Sequence, residues 1–239
     1  MDLSSPVCLG YFAGLGYAGR MRPWMLSAPF AELSKAAEQA LAAAWAARDV
    51  SLLPQGVPHW LFLQWLAGQG YLLHGSQKGG LTVLIGQPKR YHQPDEFSNT
   101  IGVYAASDGL WAMMYALRGP AVRQQNDMAL RVRREGQWSE MRYFLSVAPR
   151  VPGVTDGRDL LAPGFVYVLD GTGFSPSPPY QHGGLGCVQE AHWVNPNPVT
   201  PLLCVPVTPA DFPLPVRLHD AARVDALSAS DPWGFPWLE

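Results

Sequence analysis

The sequence predicts an α+β domain. Helical patterns come first along the chain, and many short β-prone segments separated by glycine and proline follow them. This order is typical of α+β proteins, whereas a parallel sheet needs strands and helices in alternation. At 239 residues, 48% of them hydrophobic, the chain is long enough to bury a sizeable core.

Two helices are predicted in the first third of the chain. Residues 30–48 are alanine-rich, and apolar side chains recur there at intervals of four, which predicts one buried stripe. The stripe consists of Leu33, Ala37, Leu41 and Trp45. Residues 59–66 are nearly all apolar, which predicts a short buried helix that glycines at 68 and 70 end.

The next stretch is an apolar run that ends in polar residues. Residues 71–73 are Tyr-Leu-Leu, and His74, Gly75 and Ser76 follow them directly. This pattern predicts a buried strand that carries a polar cluster at its end.

A second β-prone run, residues 101–106, leads into a helical segment at 110–117. Between them, Ser107 or Asp108 can cap the helix by accepting hydrogen bonds from its free first-turn amides. Two strand ends that carry His, Gly, Ser and Tyr, one of them opening into a helix, form a candidate ligand site.

The remaining segments alternate between β-prone runs and loops. Residues 88–99 are a polar excursion, either a lid or a surface connection. The glycine- and proline-rich residues 170–186 predict a long irregular loop. The β-prone segments are residues 128–134, 141–147, 165–169 and 201–207, with a hairpin loop near Trp138 between the first two.

Charge and cysteine content exclude several classes of protein. A net charge of −2 without long charged runs argues against a nucleic-acid surface, which needs clustered Lys and Arg. Cys8, Cys187 and Cys204 lie far apart, so neither a zinc site nor a disulfide framework is indicated. There is no secretion-signal pattern and no apolar stretch that could span a bilayer, so we expect a cytoplasmic protein without a membrane partner.

Residues 14–19 have the Gly-x-Gly-x-x-Gly spacing of a dinucleotide-binding loop. That loop requires an apolar strand before it and a helix directly after it. Here the preceding run is short and residues 20–23 lead into proline, so we do not assign nucleotide binding to this motif.

Three motifs in order resemble the ADP-ribosyltransferase superfamily, in the His-Tyr-Glu branch of diphtheria-type toxins and poly(ADP-ribose) polymerases. The apolar strand that ends in His74-Gly75-Ser76 resembles the first motif. Residues 102–106, Gly-Val-Tyr-Ala-Ala, with the helical Tyr115 resemble the second, and Glu190 is similar to the glutamate at the start of a late strand. The resemblance covers about residues 59–213. The sequence of this range is also similar to a group of bacterial proteins.

The resemblance implies a split antiparallel β-sheet core with an N-terminal helical segment. It divides the chain into a helical or irregular extension (1–58), an ADP-ribosyltransferase-like domain (59–213) and a C-terminal tail (214–239). It also implies NAD as a substrate and an acceptor of unknown identity, or hydrolysis of NAD.

The roles of single residues also come from the resemblance. His74 would bind the adenosine-side ribose, and the Gly75 backbone would bind the nicotinamide carboxamide. Tyr104 and Tyr115 would flank the nicotinamide ring, while Glu190 would bind the nicotinamide ribose and favour its developing cation. Ser76 would bind ribose or cap the turn.

Other interpretations of the same residues stay open at this point. His74 can be a structural histidine, the two tyrosines can be core aromatics, and Glu190 can be an exposed strand-end acid. On the same fold the protein can be a non-catalytic module that binds a nucleotide or ADP-ribose, or a structural or interaction protein. A metal site at His182 and His192 lacks any supporting spacing, and Ser76 lacks the Gly-x-Ser-x-Gly elbow of a serine hydrolase.

Overall fold

A computed structural model describes residues 25–29, 31, 33–88 and 95–237. The glycine motif at 14–19 and Cys8 lie outside the described residues. Within the described ranges the protein is a mixed α+β structure, mostly β, with two sheets and five α-helices. The predicted α+β class is confirmed.

The helices are α1 (Lys35–Ala47), α2 (His59–Gly68), α3 (Glu96–Asn99), α4 (Gly109–Ala116) and α5 (Ala221–Ser230), with short 3-10 turns at Val50–Leu52, Gly157–Leu160 and Pro209–Asp211. The strands are β1 (Leu26–Ser27), β2 (Leu72–Ser76), β3 (Val103–Ala106), β4 (Val122–Arg134), β5 (Gln137–Trp138), β6 (Arg142–Pro149), β7 (Gly164–Leu169), β8 (Ser175–Pro176), β9 (Tyr180–His182), β10 (Gly186–Glu190), β11 (His192–Asn195), β12 (Leu203–Val207) and β13 (Arg217–Leu218).

The first sheet has the strand order β1-β6-β4-β10-β9, with β5 beside β4 and β13 beside β6. The second sheet has the order β12-β7-β2-β3-β11-β8. All these pairings are antiparallel except that of β13 with β6. The chain passes from the first sheet to the second between β10 and β11, at Ala191.

Both N-terminal helices form where the apolar pattern predicts them. α1 starts at Lys35, later than the pattern alone suggests, because the Ser34 side chain caps it by accepting a hydrogen bond from the Ala37 amide. Leu41 and Trp45 of its stripe are buried, and the faces of Leu33 and Ala37 are partly covered. α2 packs on α4 and β2 through buried apolar side chains.

Helix α4 lies directly on the second sheet. A side chain on Gly75 of β2 would place its Cβ 2.0 Å from the Ala112 carbonyl oxygen, and one on Gly164 of β7 would place it 1.9 Å from that of Ala116. These two glycines are therefore required by packing. Every residue of α4 is buried except Tyr115, which is 44% exposed.

The buried N-terminus of α4 is held by a polar network. Asp108, 4% exposed, accepts hydrogen bonds from the Trp111 amide at 2.9 Å, the Tyr143 hydroxyl at 2.6 Å and the Gln64 amide at 3.1 Å. Of the two capping residues that the sequence allows, Asp108 is the one that caps. The network ties α4 to α2 and to β6 of the first sheet.

The segment after residue 213 packs on the first sheet. His219 accepts a hydrogen bond from the buried Ser146 hydroxyl at 2.7 Å, which fixes the start of α5. The following loop is held at two carbonyl groups, where Asn126 donates to Pro236 at 3.3 Å and His182 donates to Phe235 at 2.8 Å.

The predicted irregular loop at 170–186 is wrong in part, because short strands at Ser175–Pro176 and Tyr180–His182 pair with β11 and β10. In the ranges that the structure describes, none of the helices has the length and apolar character required to cross a bilayer.

Candidate functional site

The candidate site begins where β2 and β3 separate. β2 pairs with β7 along its whole length, but it pairs with β3 only at Leu73 and Ala106. Beyond that pair, the His74 ring spans the gap and its Nδ1 donates to the Tyr104 carbonyl oxygen at 2.7 Å. A cavity of about 190 Å³, which we call the smaller cavity, is lined by residues 73–75, 104–106, 111, 112, 115 and 192.

The backbone groups of Gly75 point into this gap. Pro206 of β12 lies opposite Phe165 of β7 and has no N–H, so this pair cannot be one of the hydrogen-bonded pairs of the two strands. The backbone of Pro206 therefore faces away from β7, and its carbonyl oxygen accepts a hydrogen bond from His59 Nδ1 at 2.6 Å. Its neighbour Val205 then bonds to Val166, which turns the polar groups of Val166 away from Gly75. The N–H and C=O of Gly75 consequently face β3, which pairs no residue with it.

His74 lies half-buried at the edge of the smaller cavity. Burial lowers the pKa of its imidazole, and the hydrogen bond to the Tyr104 carbonyl partly opposes that shift. Since Nδ1 donates to this carbonyl, the neutral ring has Nε2 as a hydrogen-bond acceptor.

The lowered pKa of His74 predicts a loss of stability in mild acid. The unfolded chain takes up the proton near its ordinary pKa of 6.5, whereas the folded protein takes it up only at lower pH. The contribution of His74 to the free energy of unfolding therefore has its full value above pH 6.5. Below pH 6.5 it decreases by up to about 1.4 kcal/mol per pH unit, until His74 is protonated in the folded protein as well. Urea unfolding at several pH values tests this.

The matched variant for that test is His74→Gln. It should show a shallower fall of the free energy of unfolding between pH 7.5 and 5.5, and His219, whose pKa burial also lowers, should supply the remainder. An identical slope in the wild type and His74→Gln would contradict the assigned protonation of His74.

The two tyrosines line the smaller cavity from different elements. The Tyr104 hydroxyl donates to the carbonyl oxygens of Phe97 and Thr100, at 2.9 and 2.7 Å, which fixes the ring. Burial and then the charge of Asp95 raise the pKa of Tyr104 to about 12. The Tyr115 side chain is partly exposed, and its hydroxyl hydrogen-bonds with Asp127.

Ser76 lines neither of the two cavities described here. Its hydroxyl accepts a hydrogen bond from the Lys78 amide at 3.0 Å. The Ser76 hydroxyl therefore caps the turn, which is one of the two roles that the sequence allows for it.

Glu190 lies where the chain crosses from one sheet to the other. It is the last residue of β10, and β11 begins two residues later. Between them the Ala191 amide bonds to Ala129 of the first sheet at 3.0 Å, and its carbonyl oxygen accepts from Ser107 beside the second sheet at 2.9 Å. The sequence motif has its glutamate at a strand start, whereas Glu190 ends a strand.

The Glu190 carboxylate faces a larger cavity of about 580 Å³. Tyr180 donates to its Oε1 at 2.7 Å, and His192 Nδ1 lies 3.7 Å from its Oε2. This larger cavity is lined by residues 95–98, 111, 115, 125–128, 177, 178, 180, 182, 190, 192, 232, 233, 235 and 237.

Three residues, Trp111, Tyr115 and His192, line both cavities, so the two cavities adjoin and form one cleft. His74, Gly75 and Tyr104 border its smaller part, and Glu190 borders its larger part. The fold thus brings five of the six residues proposed from sequence to one cleft, and Ser76 is the exception.

His192 stands at the centre of this cleft. Its ring centroid lies 4.9 Å from that of Tyr104, 5.2 Å from that of Phe97 and 5.1 Å from that of Trp111. From the sequence, His192 is a candidate only for a metal ligand. Its position two residues after Glu190, at the opening of a β-prone run, is the signal that could have placed it beside the glutamate.

Asp127 is a further, partly buried acid that the sequence patterns do not indicate. It accepts hydrogen bonds from Trp111 Nε1 at 2.6 Å and from the Gln125 amide at 2.9 Å. Burial raises the pKa of Asp127, and these hydrogen bonds oppose the shift. Trp111, which donates to Asp127, lies one helical turn before Tyr115. This spacing could have identified Trp111 as a further residue of the site.

Among the residues that the structure describes, no group of three or more His, Cys, Asp and Glu side chains is arranged so that it could hold a metal ion. His182 instead donates from Nε2 to the Phe235 carbonyl oxygen.

Comparison of this chain with protein-family models, with curated proteins and with solved structures finds no match.

Proposed function

We propose that the protein binds NAD in this cleft and transfers the ADP-ribose group to an acceptor. The observation that carries the proposal is the unpaired edge of Gly75 between His74 and Tyr104, in a cavity that adjoins the Glu190 carboxylate. On this proposal the two sheets, the second of which opens between β2 and β3, form an ADP-ribosyltransferase-like core.

The nicotinamide group suits the smaller cavity. At about 190 Å³ this cavity is below the range of about 300–1,000 Å³ typical of sites that enclose a whole ligand, so it fits a single ring. The Gly75 edge offers one donor and one acceptor, which is the complement of a carboxamide. Tyr104 and Tyr115 supply aromatic faces for the ring.

The ribose of the adenosine half of NAD would bind at His74. A neutral imidazole whose Nδ1 bonds to the backbone has one remaining lone pair, on Nε2. A sugar hydroxyl can donate to it. This contact requires the neutral ring, which the lowered pKa of His74 favours.

The reaction breaks the bond between the nicotinamide nitrogen and C1′ of its ribose. The bonding electron pair stays on the nitrogen, so nicotinamide leaves as a neutral molecule and positive charge develops on the ribose, as in glycoside hydrolysis. An O–H or N–H group of the acceptor, or water, then bonds to C1′ and releases a proton. The Glu190 carboxylate stabilises the ribose cation electrostatically.

The test is the release of nicotinamide from NAD by the purified full-length chain. We expect nicotinamide to accumulate in chromatographic assays, in proportion to protein concentration and above the rate with heat-denatured protein. Equal rates with native and denatured protein would contradict the catalytic proposal.

One observation favours a second candidate, a binding module without catalysis. Tyr180 donates to one oxygen of the Glu190 carboxylate, and His192 lies near the other. Such engagement limits the contacts that the carboxylate can make with a ribose. Calorimetry separates the candidates, because the module binds NAD or ADP-ribose without releasing nicotinamide.

A further inference from the structure

The larger cavity has aromatic walls and acidic groups. Its carboxylates are those of Asp95, Glu96, Asp127 and Glu190, and among the described residues that line it there is no lysine or arginine. Such a lining disfavours anions and suits positive charge. A single dinucleotide with its nicotinamide in the smaller cavity does not account for this composition.

Trp233 is the most exposed aromatic ring of this wall. It is 46% exposed, and its ring lies 6.0 Å from that of Tyr180, whose hydroxyl donates to Glu190. The loop that carries it is held by two hydrogen bonds to its backbone, which His182 donates to Phe235 and Asn126 donates to Pro236. An indole face is thus held in place at the mouth without being needed to fill the core.

The carboxylates around the cavity also act on its phenols. Burial raises the pKa of Tyr180, and the charges of Glu190 and Asp95 raise it further. Burial likewise raises the pKa of Tyr115, with Asp127 and Glu190 adding to the shift.

A buried acceptor without a partner lies in the same wall. The Gln125 amide nitrogen donates to Asp127 at 2.9 Å and to the Met114 carbonyl at 3.2 Å, which fixes the orientation of the amide. Its Oε1 is buried and has no hydrogen-bond partner among the described residues. A buried acceptor of this kind is stabilised by a donor.

We infer that the larger cavity is a binding site for an organic cation, an alkylammonium or guanidinium group, held against aromatic faces and balanced by carboxylates. Cations bind over Trp and Tyr faces, and more strongly where water is excluded. That this cation belongs to the acceptor rests on the proposed function, whereas its binding does not depend on NAD.

The experiment is calorimetric titration of the full-length protein, without NAD, with choline and with agmatine as separate probes. We expect at least one of the two cations to bind, and 3,3-dimethyl-1-butanol, the neutral isostere of choline, to bind at least about five-fold more weakly than that cation. Binding of choline alone identifies a site for a quaternary ammonium group. Agmatine carries both a guanidinium and a primary ammonium group, so binding of agmatine alone identifies a site that requires N–H donors.

Variants locate the binding in this cavity. Trp233→Ala should weaken cation binding about five- to ten-fold, and Trp233→Phe should retain most of it. Glu190→Gln, which removes a charge at nearly constant shape, should also weaken it. The matched control is Trp138→Ala, because Trp138 is a surface tryptophan on β5 that lines neither cavity, and this variant should bind as the wild type does.

Three results would overturn the inference: no binding of either cation, equal binding of the neutral isostere, or wild-type binding by folded Trp233→Ala. Cation binding without nicotinamide release would leave the inference standing and contradict the proposed function, and the reverse result would do the opposite. Displacement of the bound cation by saturating NAD would overturn its assignment to the acceptor.

Discussion

Replacing Glu190 by glutamine is expected to lower the rate of nicotinamide release by about 100-fold or more, with little change in affinity for NAD. A carboxylate that faces the developing ribose cation acts mainly in the transition state, and loss of one such electrostatic group typically lowers kcat by about 10²–10³. Glutamine keeps the shape and can still accept the hydrogen bond that Tyr180 donates to Oε1. Single-turnover assays and calorimetry with NAD measure the two quantities separately.

The matched control for this change is Glu140→Gln. Glu140 is exposed in the connection between β5 and β6 and lines neither cavity. The same loss of charge there should therefore leave nicotinamide release within about two-fold of the wild type. A rate in Glu190→Gln equal to that of this control would remove Glu190 from the proposed chemistry.

Replacing Asp108 by alanine is expected to lower the free energy of unfolding by about 3 kcal/mol. The change removes the cap of α4, which is typically worth about 1 kcal/mol. It also leaves the Tyr143 hydroxyl without its buried acceptor, at about 1–3 kcal/mol, while the Gln64 amide keeps its hydrogen bond to that hydroxyl at 3.1 Å. Urea unfolding followed by circular dichroism measures the loss.

Asp220→Ala is the control for the capping part of that effect. Asp220 caps α5 by accepting hydrogen bonds from the Ala222 and Arg223 amides, and it is exposed. Its replacement should therefore cost about 1 kcal/mol or less. If the two variants lose equal stability, the buried network around Asp108 contributes nothing beyond an ordinary cap.

Local patterns in the sequence were sufficient for most helices and for the central strands. The apolar run of α2 and the capped run of α4 predict their elements to within two residues, because helix formation depends on neighbours three and four positions apart. β4 starts earlier than predicted, at Val122, because the polar residues before Met128 are held in the sheet by their pairing with β6. Asp127 was missed for that reason.

The larger part of the site depends on tertiary contacts that no local pattern encodes. Tyr180 comes from a proline-rich loop and meets Glu190 only because β9 pairs with β10. Trp233 reaches the same cavity from the C-terminal loop, which Asn126 and His182 hold by hydrogen bonds to the loop backbone. The smaller cavity was closer to prediction, because His74, Gly75 and Tyr104 lie on two strands that pair directly.

A crystal structure of the protein with a non-hydrolysable NAD analogue is the most direct test that the cleft binds this dinucleotide. We expect the nicotinamide ring between Tyr104 and Tyr115, its carboxamide within hydrogen-bond distance of the Gly75 N–H and C=O, and the adjoining ribose facing Glu190. An analogue that binds elsewhere, or that binds here with its carboxamide away from Gly75, would contradict the account.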